Sequence, residues 1–181
     1  MRGIDDTRHM GIRYYAYAFD RPMTQQALAD PRSFIAGDPL ADAWGFEPGA
    51  QIASPSFEQS VPKRDMLYLD KAWSMLQRLT GPGSGDGDVR PAYRMFEGHV
   101  TDREGGWEPW VRALPPDEVP AIARDLAGID DAEARARLRE SGRFGGEPDA
   151  EADYAMHYLD AARAFVSALA TEGRGMAYLI G

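Results

Sequence analysis

Asp70 and Lys71 stand side by side in the run LYLDKAWSMLQRLTG, residues 67–81, with Trp73 just beyond them. A carboxylate and an amine beside an aromatic side chain can do general acid–base work or form the polar floor of a pocket. Asp70 falls one position from the apolar series Met66, Leu69, Trp73, Leu76 and Thr80. A carboxylate at a core boundary must be satisfied by backbone amides, an arginine or a ligand. Structural ion pairs mimic active sites, so the first expectation is a hydrogen-bonded carboxylate that fixes the local chain. The functional alternative is a pocket with Asp70 on its floor, walled by Trp107 and Trp110 of the segment GGWEPW. Asp70, Lys71, Trp107 and Trp110 are therefore the candidate binding residues. No residue declares itself catalytic.

Other chemistry is weaker. GPGSGDGD, residues 81–88, lacks the Gly-Lys-Ser/Thr that ends a phosphate-binding P-loop, and it follows a predicted helix where a dinucleotide fingerprint follows a strand. Ser84 has no strand leading into it, as a nucleophile elbow requires. His99 with Asp102, and His157 with Asp160, are spaced for two ligands on one helix face. A metal site wants three or four ligands, and cysteine is absent. Glu97 is a conceivable third ligand near His99 that nothing in the sequence pins. No metal and no cofactor are expected.

The net charge is -9, with most of the excess acid between Asp117 and Asp153. Nucleic-acid binders neutralise phosphates with clustered Lys and Arg, so nucleic acid is excluded as the expected partner. An acidic surface serves solubility, and it also suits a protein partner with a basic face. No apolar run reaches the ~20 residues that span a bilayer, and residues 1–10 lack the apolar core of a secretory signal. The absence of disulfides fits a cytoplasmic protein. Arg, Ala, Gly and Asp are abundant, while Lys63 and Lys71 are the only lysines, a pattern of GC-rich bacterial coding.

The elements that would position these residues follow from pattern. GIRYYAYAFD, residues 11–20, alternates as a strand with aromatics on both faces, which predicts an interior strand. Thr24 starts a short helix with Ala27 and Leu28 inward. Four prolines between residues 39 and 62 leave a loop-rich segment anchored by Phe34, Trp44, Phe46 and Phe57. From Pro62 the spacing predicts one helix through to the Gly81-Pro82 stop. Residues 94–100 suit a short strand or a helix. A helix follows Pro115-Pro116-Asp117-Glu118 and ends at Gly128. Asp130 or Asp131 caps another over 132–140, and the longest runs from Ala150 to Glu172. Met176 to Ile180 alternates as a closing strand. A chain that opens and closes on strands, with helices between, predicts one α+β domain over 11–181. Its small sheet should hold both terminal strands against several helices, after an extension or disordered tail at 1–10.

Several ordered segments resemble a known family. MGIRYYAYAFD, LDKAW with its Leu-Thr-Gly stop, LPPDEVPAIARDL, and a long final helix running into a terminal strand are similar to YfbM-like bacterial proteins, a family of unknown function. The likeness covers Met10 to Gly181. Leu-Pro-Pro stands where the family is expected to have Leu-Thr-Pro, and the glycine loop is a local insertion. The resemblance implies an α+β fold and a small cytoplasmic protein, and it carries over no catalytic residue. The expected role is non-catalytic binding of a protein partner or a small ligand. The alternative is a hydrolase or transferase using an Asp70-centred pocket.

Overall fold

The computed structural model describes residues 11–46, 48, 59–82, 89–104, 106–142 and 144–181. The predicted tail, Phe57, Gly105 and the glycine loop from Gly83 to Asp88 lie outside the described residues.

The first strand and the last meet in the middle of one sheet. β1 (Tyr14–Phe19) and β6 (Gly175–Ile180) pair antiparallel, with Tyr14 opposite Ile180 and Phe19 opposite Gly175. The ladder continues outward, Arg13 and Gly181 exchanging both backbone hydrogen bonds at 2.9 and 3.0 Å. β2 (Met66–Asp70) flanks β1 and β5 (Trp110–Leu114) flanks β6, giving the antiparallel order β2-β1-β6-β5. β3 (Thr101–Arg103) and β4 (Gly106–Glu108) form a separate exposed hairpin. Gly175 permits the close central pairing. A Cβ there would lie 2.4 Å from the Phe19 ring and 2.7 Å from the Leu114 carbonyl.

The sheet is buried on both faces, which is why β1 reads apolar on both. On one face Tyr14 stacks on Tyr178 with ring centroids 5.2 Å apart. The Tyr14 hydroxyl donates to the Met95 carbonyl at 2.9 Å, and that of Tyr178 donates to the carbonyl of Glu97 at 2.7 Å. These bonds seat the single turn α4 (Tyr93–Phe96) against the sheet. On the other face lies the segment holding α1 (Thr24–Ala29), a 3-10 turn (Pro31–Phe34) and α2 (Pro39–Asp42). Phe34 packs on Phe19, and the Tyr17 hydroxyl donates to the buried Asp42 carboxylate at 2.9 Å. The same carboxylate accepts from the Ser60 amide, which ties residue 60 back onto this cover.

The remaining helices form the outer layer. α3 (Trp73–Thr80) follows β2, and α5 (Val119–Ala127) and α6 (Asp131–Ser141) both pack along the 25-residue α7 (Pro148–Glu172). Asp130 caps α6 by accepting from the Glu133 amide at 2.9 Å, as its position predicts. Arg163 of α7 donates to the carbonyls of Leu126 and Ile129, at and just beyond the end of α5, and pairs with Asp131. No helix among the described residues is long and apolar enough to cross a membrane.

One α+β domain, with the two terminal strands paired in its sheet, is what the pattern predicts. The run from Pro62 is where it misleads. Residues 66–70 form a strand, and the helix begins only at Trp73. Met66, Leu67, Tyr68 and Leu69 are all buried. A short unbroken apolar run fits a doubly covered strand as well as a helix, and periodicity cannot separate them. Trp44 and Leu28 are exposed and do not anchor the core, and β5 and the β3–β4 hairpin fall where no strand is predicted beyond the ambiguous 94–100.

Candidate functional site

Asp70 closes β2. A register shift between Tyr14 and Tyr15 leaves Leu69 as an extra residue, a β-bulge, and the chain then turns through Asp70 at φ 45°. Asp70 is the one non-glycine residue with positive φ among the described residues. Aspartate tolerates that left-handed region better than most residues, at a cost of about 1–2 kcal/mol. Three donors hold the carboxylate there. The Arg13 guanidinium donates at 3.1 Å, the Tyr68 hydroxyl at 3.0 Å and the Tyr154 hydroxyl at 2.7 Å. Tyr154 also accepts from the Lys71 amide at 3.3 Å. One side chain thus joins the residue before β1, the end of β2 and the first half of α7.

The electrostatics agree. Burial, then the Asp70 charge and its hydrogen bond, push the Tyr68 and Tyr154 hydroxyls far above the ordinary tyrosine range, so both remain donors. Arg13 is held above its usual value despite partial desolvation, by Tyr68 and Asp70. A carboxylate already accepting three protein hydrogen bonds is poorly placed to take a substrate proton. The Asp70 side chain is 20% exposed, and the arrangement is that of a latch. Sequence pattern offers no signal for Tyr154 as a partner, since it lies in a different element far along the chain.

The other candidates lie elsewhere. The register Asp70, Tyr14, Ile180, Trp110 puts Trp110 on the opposite edge strand, with β1 and β6 between. Trp110 is half-buried, 5.1 Å from the His99 ring and 5.2 Å from the Arg112 guanidinium. Gly98, at φ 149°, lets the backbone lie over this indole, since a Cβ there would come within 2.4 Å of it. Lys71 is half-buried beside Asp70 and makes no ion pair among the described residues. No group of three or more His, Asp or Glu among the described residues is placed to hold a metal.

Trp107 borders an open groove of about 300 Å³. Its floor is Tyr15 and Leu179, cross-strand neighbours on the sheet face that α1 and α2 cover only in part. Leu40 of α2 rises on the rim, with Arg32 also lining the groove. Trp107 and Leu40 are 48% and 53% exposed, among the most exposed large apolar side chains of the described residues. Asp70, Lys71 and Trp110 do not line it. The candidate residues thus divide between a latch at one edge of the sheet and a groove reached by Trp107. Tyr15, Leu40 and Leu179 were readable only as core or loop positions.

Residues 10–178 match the family model described as Domain of unknown function (DUF1877). The chain belongs to this family. Its structure is also similar to the crystal structure of YfbM from Escherichia coli, a protein of unknown function, at 18% identity and a TM-score of 0.50. The likeness covers 93% of this chain and 99% of that one, and it shows a shared fold. No curated protein matches the chain. The DUF1877 assignment carries no activity with it.

Proposed function

We propose that the chain is a non-catalytic binding protein of the bacterial cytoplasm that docks a protein partner through the groove beside Trp107. The observation that carries this is the pairing of exposed Trp107 and Leu40 over an apolar floor of Tyr15 and Leu179. Aromatic anchors beside an apolar pocket are the usual centre of a binding energy hot spot. The partner presents an apolar anchor to the groove and a basic face to the acidic surface of the chain, whose charge excess lies between Asp117 and Asp153. The alternative, a hydrolase or transferase with Asp70 as acid or base, requires Asp70 to release one of its three donors.

The test is affinity capture from a bacterial lysate with three baits: the unaltered chain, Trp107→Ala and Asp70→Asn. The expected outcome is a partner retained by the unaltered chain and by Asp70→Asn, and lost with Trp107→Ala. Its association rate should fall as salt rises, because the Debye length shortens from about 10 Å at 0.1 M to about 3 Å at 1 M. Loss of a captured ligand with Asp70→Asn alone, in a variant that stays folded, would favour the enzyme.

A further inference from the structure

The walls of the groove beside Trp107 are more open to a ligand than its floor. Tyr15 and Leu179 are each 6% exposed, whereas Trp107 and Leu40 stand half in solvent. Trp107 belongs to the exposed β3–β4 hairpin and lies directly opposite Asp102. Residues opposite each other in an antiparallel pair leave it on the same face, with Cβ atoms about 5 Å apart. Arg103 and Glu108 alternate to the other face and satisfy each other at 2.5 Å. Asp102 is exposed and has no ion pair or hydrogen bond among the described residues. Across the groove, Asp38 uses one carboxylate oxygen to accept from the Ala41 amide at 3.0 Å and leaves the other without a hydrogen bond among the described residues. Arg32 is the one cation that lines the groove among the described residues. Two carboxylates against one guanidinium leave a net negative charge around an exposed indole.

The face of an indole attracts a cation, and a carboxylate beside it adds to that attraction. No aromatic ring or cation of the described residues occupies the Trp107 ring. Of the two basic side chains, arginine suits the place better. Its planar guanidinium lies flat on an aromatic face while its edge still donates to a carboxylate, whereas the lysine ammonium is a compact and strongly hydrated charge. The hydrocarbon stem of an arginine also covers apolar surface such as the exposed side of Leu40. We infer that the partner's apolar anchor is accompanied by an arginine, whose guanidinium lies on the Trp107 indole and donates to Asp102, in the field of Asp38. This rests on the docking role proposed for the groove and names the chemistry that the groove selects. Arg32 opposes the incoming charge, which gives the site a sign that an experiment can read.

The experiment is titration of the full chain with three peptides, acetyl-Gly-Leu-Arg-Gly-amide and its lysine and glutamine counterparts, followed by the NMR shift of the Trp107 indole N–H, which Trp107→Ala identifies. The arginine peptide should bind roughly fivefold more tightly than the glutamine peptide, with lysine between them. Asp102→Asn should remove most of that preference and leave the glutamine peptide unaffected. Asp38→Asn, which keeps a capping side chain at the start of α2, should act in the same direction. Arg32→Gln should tighten the arginine peptide. Glu140→Gln, which removes an exposed carboxylate of α6, should change nothing, so that a general effect of net charge is set apart. The inference is overturned if the arginine peptide gives no shift at about 5 mM, or if Asp102→Asn binds it as well as the unaltered chain. Equal binding of the glutamine peptide would overturn the arginine and leave the groove as a docking site. Partner capture by Trp107→Ala is the separate result that removes the groove itself.

Discussion

The Asp70 latch and the Trp107 groove contain the same kinds of residue arranged to opposite ends. At the latch, Tyr68 and Tyr154 are turned inward and their hydroxyls are spent on one carboxylate that also takes Arg13. At the groove, Trp107 and Leu40 are turned outward, and Arg32 stands without an ion-pair partner among the described residues. Aromatic and charged side chains therefore do not mark function by type. What differs is whether their capacity is used up within the chain. A satisfied cluster stabilises, and an unsatisfied one is open to a partner.

This contrast can be broken from the stabilising side first. Trp73, 5% exposed at the start of α3, donates its indole N–H to the Ile12 carbonyl at 3.3 Å. Trp73→Ala should cost about 3–5 kcal/mol in denaturant unfolding. An unchanged midpoint would remove it from the core. Asp70→Asn should cost about 1–3 kcal/mol. Asparagine tolerates the left-handed backbone at this position, so the loss would report the charge and its hydrogen bonds and leave the backbone strain aside.

A smaller effect concerns acid. Desolvation works against the charge of Asp125, but the hydrogen bonds from Arg90 and the Ala92 amide, with the Arg90 charge, hold its carboxyl below the usual carboxylate range. A depressed folded-state value contributes stability that is present above the unfolded value and lost as pH falls through the folded one. Asp125→Asn should therefore lower stability at neutral pH by about 1–2 kcal/mol and flatten the acid limb of a melting-temperature profile between pH 7 and pH 3. A limb of unchanged slope would reject this. The smallest stability effect belongs to the groove. Trp107→Ala should shift unfolding by no more than about 0.5 kcal/mol, as exposed substitutions do, while abolishing partner capture. A large loss of stability there would make Trp107 part of the scaffold and blur the contrast.

How far the sequence discloses these regions depends on the range of the forces involved. The strand at the start, the strand at the end and their pairing are legible because alternation over Tyr14–Phe19 and the closing residues is a local signal. The Asp130 cap is local too. The latch is half legible, since a carboxylate at a core edge demands partners, yet nothing local names Tyr154. The strand β2 is hidden because burial on both faces erases alternation, and a bulge at Leu69 then hands the chain straight to a helix. The groove is the least legible part. Its floor is made of sheet residues and its rim of α2 and a hairpin, parts of the chain that only the tertiary fold brings together.

The central pairing of β1 with β6 also governs how the chain comes into being. β1 is made early, carries apolar side chains on both faces, and finds its inner neighbour only when the final strand has emerged. At about 5–20 residues per second, it waits on the order of ten seconds on the ribosome with one edge unpaired. Helical hairpins such as α6 and α7 have no such delay. The sheet therefore closes last, folding is dominated by a contact between opposite ends of the chain, and such contacts are the slow ones. During that interval the nascent protein displays an aromatic strand that holdase chaperones would have to shield.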